Sequence, residues 1–165
     1  MEKFIDKLSS YNLFNHLFPG ALFIIFINNF TPYFFRQENM ILDIVLYYFV
    51  GLVLSRIGSL IIEPILRKIK FLKFTSHSEF LEASMIDSKI DILSETNNMY
   101  RTLSSTIIFL IMIIIYHILS LRYQFLSDWA EYIVLGFLLI LFLYSYQKQT
   151  RYIFSRIKNL LSNKK

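Results

Sequence analysis

The sequence has no cysteine, four glycines, three prolines and one tryptophan in 165 residues. Without cysteine, disulfides, thiolate metal sites and thiol nucleophiles are all excluded. So little glycine and proline leaves little material for flexible linkers. Charge is scarce too: 18% of residues are Asp, Glu, Lys or Arg, against about 25% in soluble domains. Apolar residues take their place, 55% of the chain, and Phe and Tyr are abundant at 17 and 11 copies. A soluble domain of this length can bury a core, but not several apolar runs of near-membrane length. The composition points to an all-α integral membrane protein, one membrane domain over 1–165 with no separate soluble domain.

The spacing predicts four spans, at about 17–35, 40–62, 103–121 and 131–147, forming a four-helix bundle with amphipathic cytoplasmic helices. Residues 1–18 repeat Phe4, Leu8, Tyr11, Phe14 or Asn15, and Phe18 at helical intervals. They predict an amphipathic N-terminal helix, either lying on the membrane or packed as a cytosolic lead-in, and broken at Pro19-Gly20. The first apolar run lacks a small-residue cleavage site, so no signal peptide is expected. Span 1 holds Asn28 and Asn29, which point about 100° apart and cannot both face lipid cheaply. Water at the outer end is expected to satisfy them. Span 2 should close at Glu63-Pro64. The polar stretch 67–101 opens with Arg67, Lys68, Lys70 and Lys73. Ser76 with Glu79 reads as a capping box. Ile86, Ile90, Leu93, Asn97 and Tyr100 then predict a helix running on into span 3. The basic tail 148–165 continues the pattern of span 4 as one long helix.

Charge sets the expected topology. The N-terminus, the 67–101 segment and the tail carry 14 Lys and Arg, whereas the short loops hold only Arg36 and Arg122. The positive-inside rule places both termini and the middle segment in the cytoplasm, with Tyr123, Trp129 and Tyr132 at the outer interface. It also accounts for the net charge of +5 without invoking nucleic acid, whose direct binding is not expected. For the tail, anionic lipid is the default partner, at about 1 kcal/mol per basic residue near the leaflet.

The stretch Leu42–Leu66 concentrates the informative residues. Gly51, Ser55, Gly58 and Ser59 lie on one stripe of a helix, and Val50, Val53, Leu54, Ile57, Leu60 and Ile61 fill the other side. Such a stripe lets helices approach closely, within one bundle or between subunits. Arg56 sits inside the span, where a charge costs about 2.5–3.5 kcal/mol on insertion scales. Its side chain leans toward the helix N-terminus, away from the cytoplasm, so a partner on another helix or a wet cavity is required. Glu63 shares its side of the helix, but about 10.5 Å of rise separates them. Gly51, Ser55, Arg56, Gly58, Ser59 and Glu63 are therefore the candidate oligomer interface or intramembrane polar site. Just below span 3, Glu95, Asn97, Asn98, Tyr100 and Arg101 either dock a cytosolic partner or cap and solvate the helix at the membrane surface. Glu38, Asp43, Asp128 and Glu131 are expected to be solvated at the outer end. His16, His77 and His117 have no second ligand at helical spacing, and no nucleophile-base pair or phosphate loop stands out. No enzyme activity, metal or cofactor is expected.

Four stretches, YNLFNHLFPGALF (11–23), GLVLSRIGSLIIEPILRK (51–68), SETNNMYRTL (94–103) and KQTRYI (148–153), resemble a recurring pattern in small four-span bacterial membrane proteins of phage-defence loci. The membrane subunits of Kiwa-type defence systems are the named case. The resemblance implies a homo-oligomer in the inner membrane with a cytosolic subunit docked on its cytoplasmic face. The expected function is thus the membrane sensor or anchor of an antiphage complex. An oligomeric channel or pore-forming effector, and a transporter accessory subunit, are the alternatives.

Overall fold

In lipid the backbone must satisfy its own hydrogen bonds, and an apolar chain poor in turn residues does so as helices. The computed structural model describes residues 12–35 and 39–162. Among them all regular structure is helical: α1 (Leu13–Phe30), α2 (Met40–Lys68), α3 (His77–Ile86), α4 (Lys89–Arg122), α5 (Gln124–Asp128) and α6 (Ala130–Ser162). Four of these, α1, α2, α4 and α6, are long and apolar enough to cross a membrane. The chain is a multi-pass membrane protein. The expected N-terminal helix lies outside the described residues as far as Tyr11; Asn12 to Phe18 lead into and open α1 itself.

Two expected breaks do not occur, and for one shared reason. Pro19 and Pro64 each follow a five-residue π-helical turn, Leu13–Leu17 and Gly58–Ile62. In these turns the Phe18 N–H reaches the Leu13 carbonyl and the Glu63 N–H reaches the Gly58 carbonyl. The wider register lets each proline enter the next α-helical turn at its first or second position, where a missing N–H does least harm. Helix α2 therefore runs six residues past the boundary expected at Ile62. Helix α1 instead stops early, because Pro32 pushes Thr31 out of the helical region to φ −135°, ψ 163°. The two asparagines in the last turn of α1 bond to backbone groups. Asn28 brackets Phe35, accepting from its N–H at 2.8 Å and donating to its carbonyl at 3.2 Å, and Asn29 donates to the Ile25 carbonyl at 2.6 Å.

Helix α2 is the centre of the bundle. Val53, Leu54 and Ile57, expected on a face away from the small residues, are buried along with Gly51, Ser55, Gly58 and Ser59. Helices α1 and α4 cover one side, and α6 leans on another. Phe23, Ile24 and Ile27 of α1, Leu110 of α4 and Leu141 of α6 complete the core. Helices α1 and α2 meet backbone to backbone: a Cβ on Gly20 would overlap the Tyr47 carbonyl oxygen, and one on Gly51 would overlap the His16 carbonyl. Stacked rings carry the contact outward, from Phe23 to Phe109 (5.9 Å) and from Phe109 to Phe137 on α6 (6.0 Å).

Helices α4 and α6 exceed any bilayer. At 1.5 Å per residue they span about 50 Å each, against an apolar core of about 30 Å. The predicted capping box opens α3: the Ser76 N–H donates to Glu79 at 2.9 Å and the Glu79 N–H to the Ser76 hydroxyl at 3.2 Å. At the far end, the Tyr116 hydroxyl donates to the Leu126 carbonyl at 2.5 Å and ties α5 to α4.

Candidate functional site: a polar seam at the basic end of the bundle

Polar residues gather where α1 begins and α2 ends. On α4, Thr102, Ser105 and Thr106 occupy one face at helical spacing and are fully buried. Each hydroxyl donates to the carbonyl four residues earlier, at 2.9 Å, so none costs the bundle an unsatisfied donor. Their small size admits the neighbouring helices. Ser105 Oγ and the Arg101 side chain lie directly against Gly58, where a Cβ would not fit. Thr102 Oγ1 also lies 3.0 Å from Asn15 Oδ1 on α1. His16, next in line, sets its backbone against Gly51 and its ring edge-on to Tyr48 at 5.5 Å.

An ion pair closes the seam. Arg101 Nη1 donates to Glu63 Oε2 at 2.9 Å, with both side chains largely covered, 20% and 14% exposed. Beside it, Lys148 of α6 donates to the Ser59 carbonyl at 2.8 Å and the Ser59 hydroxyl at 2.6 Å. This bond follows from Pro64. In the π register the carbonyl of Ser59 would take the N–H of residue 64, and proline has none. The ammonium supplies the donor that the helix lacks, and in doing so attaches α6 to α2. Glu63, Arg101, Arg56 and Arg67 all act electrostatically on Lys148, and Arg56 acts on His16. Cations dominate this end of the bundle.

The predicted residues divide as follows. Gly51, Ser55, Gly58 and Ser59 are buried inside the chain, with α1 seated on Gly51, α4 on Gly58 and Lys148 on Ser59. The stripe is filled from within. Arg56 is partly buried and has no ion pair among the described residues; Glu63 belongs to Arg101 instead. Arg101 therefore leaves the expected docking cluster and joins the seam. Asn98 is half-buried, and its carbonyl accepts from Thr102. Glu95, Asn97 and Tyr100 remain on the surface. Asp43 is half-buried in the first turn of α2, where the helix dipole favours a carboxylate. Asp128 and Glu131 are exposed, and Glu38 lies outside the described residues. His117 meets the Tyr33 ring edge-on at 5.7 Å. No group of three or more His, Asp or Glu side chains converges as a metal site among the described residues.

Thr102, Ser105, Thr106 and Lys148 were not singled out by sequence, and Asn15 and His16 were noted only as a helical-repeat position and a histidine without a second ligand. A signal existed for α4: its small hydroxyl residues recur at the same spacing as the stripe of α2. Lys148 left no local signal, because it reads as one more charge of the tail. Chemically, the seam holds helices together. The α4 hydroxyls are bonded to backbone, the Ser59 hydroxyl to the Lys148 ammonium and the Glu63 carboxylate to a guanidinium. The crevice between α2 and α4, about 450 Å³ and lined by Ile57, Ile61, Ile108, Met112 and Phe137 among others, is wholly apolar. No family model, curated protein or solved structure matches this chain.

Proposed function

We propose that this chain is the membrane anchor or sensor subunit of an antiphage complex, in the bacterial inner membrane with both termini cytoplasmic. One observation carries the anchor reading. Helix α4 is continuous over 34 residues, and the seam keys it into the bundle just where it leaves the apolar zone. Beyond that point it bears Glu95, Asn97 and Tyr100 on its surface. A partner bound there is coupled through one rigid helix to the Arg101–Glu63 pair. The cytoplasmic orientation rests on the distribution of Lys and Arg. The defence setting rests on the four stretches resembling membrane proteins of phage-defence loci.

Self-association, part of the same proposal, is assigned to the exposed face of α6, because α1 lies against Gly51 and α4 against Gly58 on the stripe of α2. Helix α6 exposes Leu135, Leu139, Leu143 and Tyr146.

The test is affinity purification of the full chain from its native host in mild detergent. A cytosolic protein should co-purify in fixed ratio. The pair Asn97→Ala and Tyr100→Ala should release it without changing the thermal stability of the membrane subunit. Retention of the partner by that variant would refute docking on α4. Ion flux through liposomes holding the wild-type protein, abolished by Arg56→Leu, would favour the channel reading instead.

A further inference from the structure

Between the last turns of α2 and the exit of α6 lies an open groove of about 780 Å³. Arg67 and Lys68 line it from α2, and Lys148 and Arg151 from α6; the one carboxylate in its wall is Glu63. Glu63 is already bonded to Arg101, so four cations face the groove with almost no compensating charge. Like charges held this close repel one another, and a bundle that gathers them is stabilised by an anion between them.

The depth of the groove indicates which anion. Ile61 and Ile65 of α2 and Leu143 of α6, just toward the membrane, are exposed apolar residues that face lipid. Arg67 and Lys68 follow Ile65 within one turn and Arg151 stands about two turns past Leu143, at the level of headgroups, while the Lys148 ammonium reaches back to Ser59. The donors also suit a phosphate. Lys148 has three N–H groups and spends two on Ser59. The Arg67 guanidinium lies over the Phe74 ring at 5.0 Å. That contact uses its face and leaves its N–H edge for oxygen ligands.

We propose that this groove binds the phosphodiester headgroup of an anionic phospholipid, with Arg67, Lys148 and Arg151 as its ligands. The lipid then acts as a bridge that joins α6 to α2 at the membrane surface. A basic pocket between membrane helices on the basic side is the general form of such sites. The inference rests on the membrane topology and is independent of the antiphage reading.

Native mass spectrometry of the full protein, released from nanodiscs of mixed phosphatidylglycerol and phosphatidylcholine, tests it. Phosphatidylglycerol should be retained on the wild type and phosphatidylcholine should not. Arg67→Gln with Arg151→Gln should weaken retention about thirty-fold, which is about 2 kcal/mol. The lysine versions of both should restore most of it. Arg156→Gln with Lys158→Gln removes the same charge further along α6 and should change retention less than two-fold. Should the double glutamine variant fail to fold, Arg151→Gln alone should still show a loss of about five-fold. Equal loss in the control pair, equal retention of both lipids, or an unchanged Arg151→Gln would overturn the site. Displacement of the lipid by millimolar inorganic phosphate would identify a soluble phosphate as the ligand and overturn the headgroup assignment.

Discussion

If Lys148 replaces the N–H that Pro64 lacks, the two residues must be energetically coupled. Lys148→Met removes both hydrogen bonds to Ser59, at 2.8 and 2.6 Å, and leaves a carbonyl in the bundle without a donor. Stranding such a group costs about 1–3 kcal/mol. The lysine is partly solvated, so we expect about 2 kcal/mol for Lys148→Met alone. Pro64→Ala restores a backbone donor, and the register does not matter. If the π turn persists, the N–H of residue 64 reaches the Ser59 carbonyl. If the turn relaxes to α, the Glu63 N–H reaches it. Either way Ser59 no longer depends on the ammonium. In the Pro64→Ala background the same lysine substitution should cost about 1 kcal/mol less. The assay is a double-mutant cycle on unfolding in mixed micelles of mild detergent and SDS, following helical signal at fixed detergent ratio. Residues without shared partners add to within about 0.3–0.5 kcal/mol. A cycle additive within that limit would refute the link between proline and lysine.

Other substitutions probe the seam and its surroundings. Gly51→Ala places a methyl against the His16 carbonyl and should cost about 1–3 kcal/mol by overpacking, measured in the same micelles. By contrast Gly136→Ala, which meets nothing within 4 Å, should be neutral or slightly stabilising. Phe109→Ala breaks the stack from Phe23 to Phe137; it should lower stability by about 3 kcal/mol and open α6 to proteolysis ahead of the other helices. The capping box of α3 carries a pH dependence. Hydrogen bonds from the Ser76 N–H and hydroxyl hold the Glu79 carboxyl below the ordinary glutamate range. Its stabilisation is thus complete above the ordinary value of about 4.3 and is lost as pH falls through the lowered one. Amide exchange across 77–86 should accelerate in that acid window, and Glu79→Ala should show fast exchange with no such step.

Along the chain, much of this protein could be read directly. Alternation at 3.6 residues and the distribution of Lys and Arg marked four spans and the long exits of spans 3 and 4. The Ser76–Glu79 spacing marked the start of α3. These are local properties, fixed by bonds within one or two turns. All three prolines act otherwise than expected. At Pro32 the steric effect on the preceding residue dominates and α1 ends. At Pro19 and Pro64 a π turn absorbs the missing N–H and the helix continues, and nothing in the composition of those turns announces it.

The sequence alone determined the class of the molecule, its helices and the need of the small residues and Arg56 of α2 for a protein neighbour or, for Arg56, a wet cavity. Only tertiary structure decided which protein. In water, hydropathy separates core from surface. In a membrane, the faces that meet lipid and the faces that meet other helices are equally apolar, so the pattern loses that contrast. The stripe Gly51, Ser55, Gly58 and Ser59 thus carried no mark of whether its neighbour was α1, α4 or a second copy. Backbone contact with His16 and the fit of Ser105 against Gly58 answered that. The same holds for charge. Glu63 lies 7 residues from Arg56 and 38 from Arg101, and it pairs with the distant one. Side chains that project along one helix axis are held apart by its rise, whereas two helices in contact can bring them to 2.9 Å.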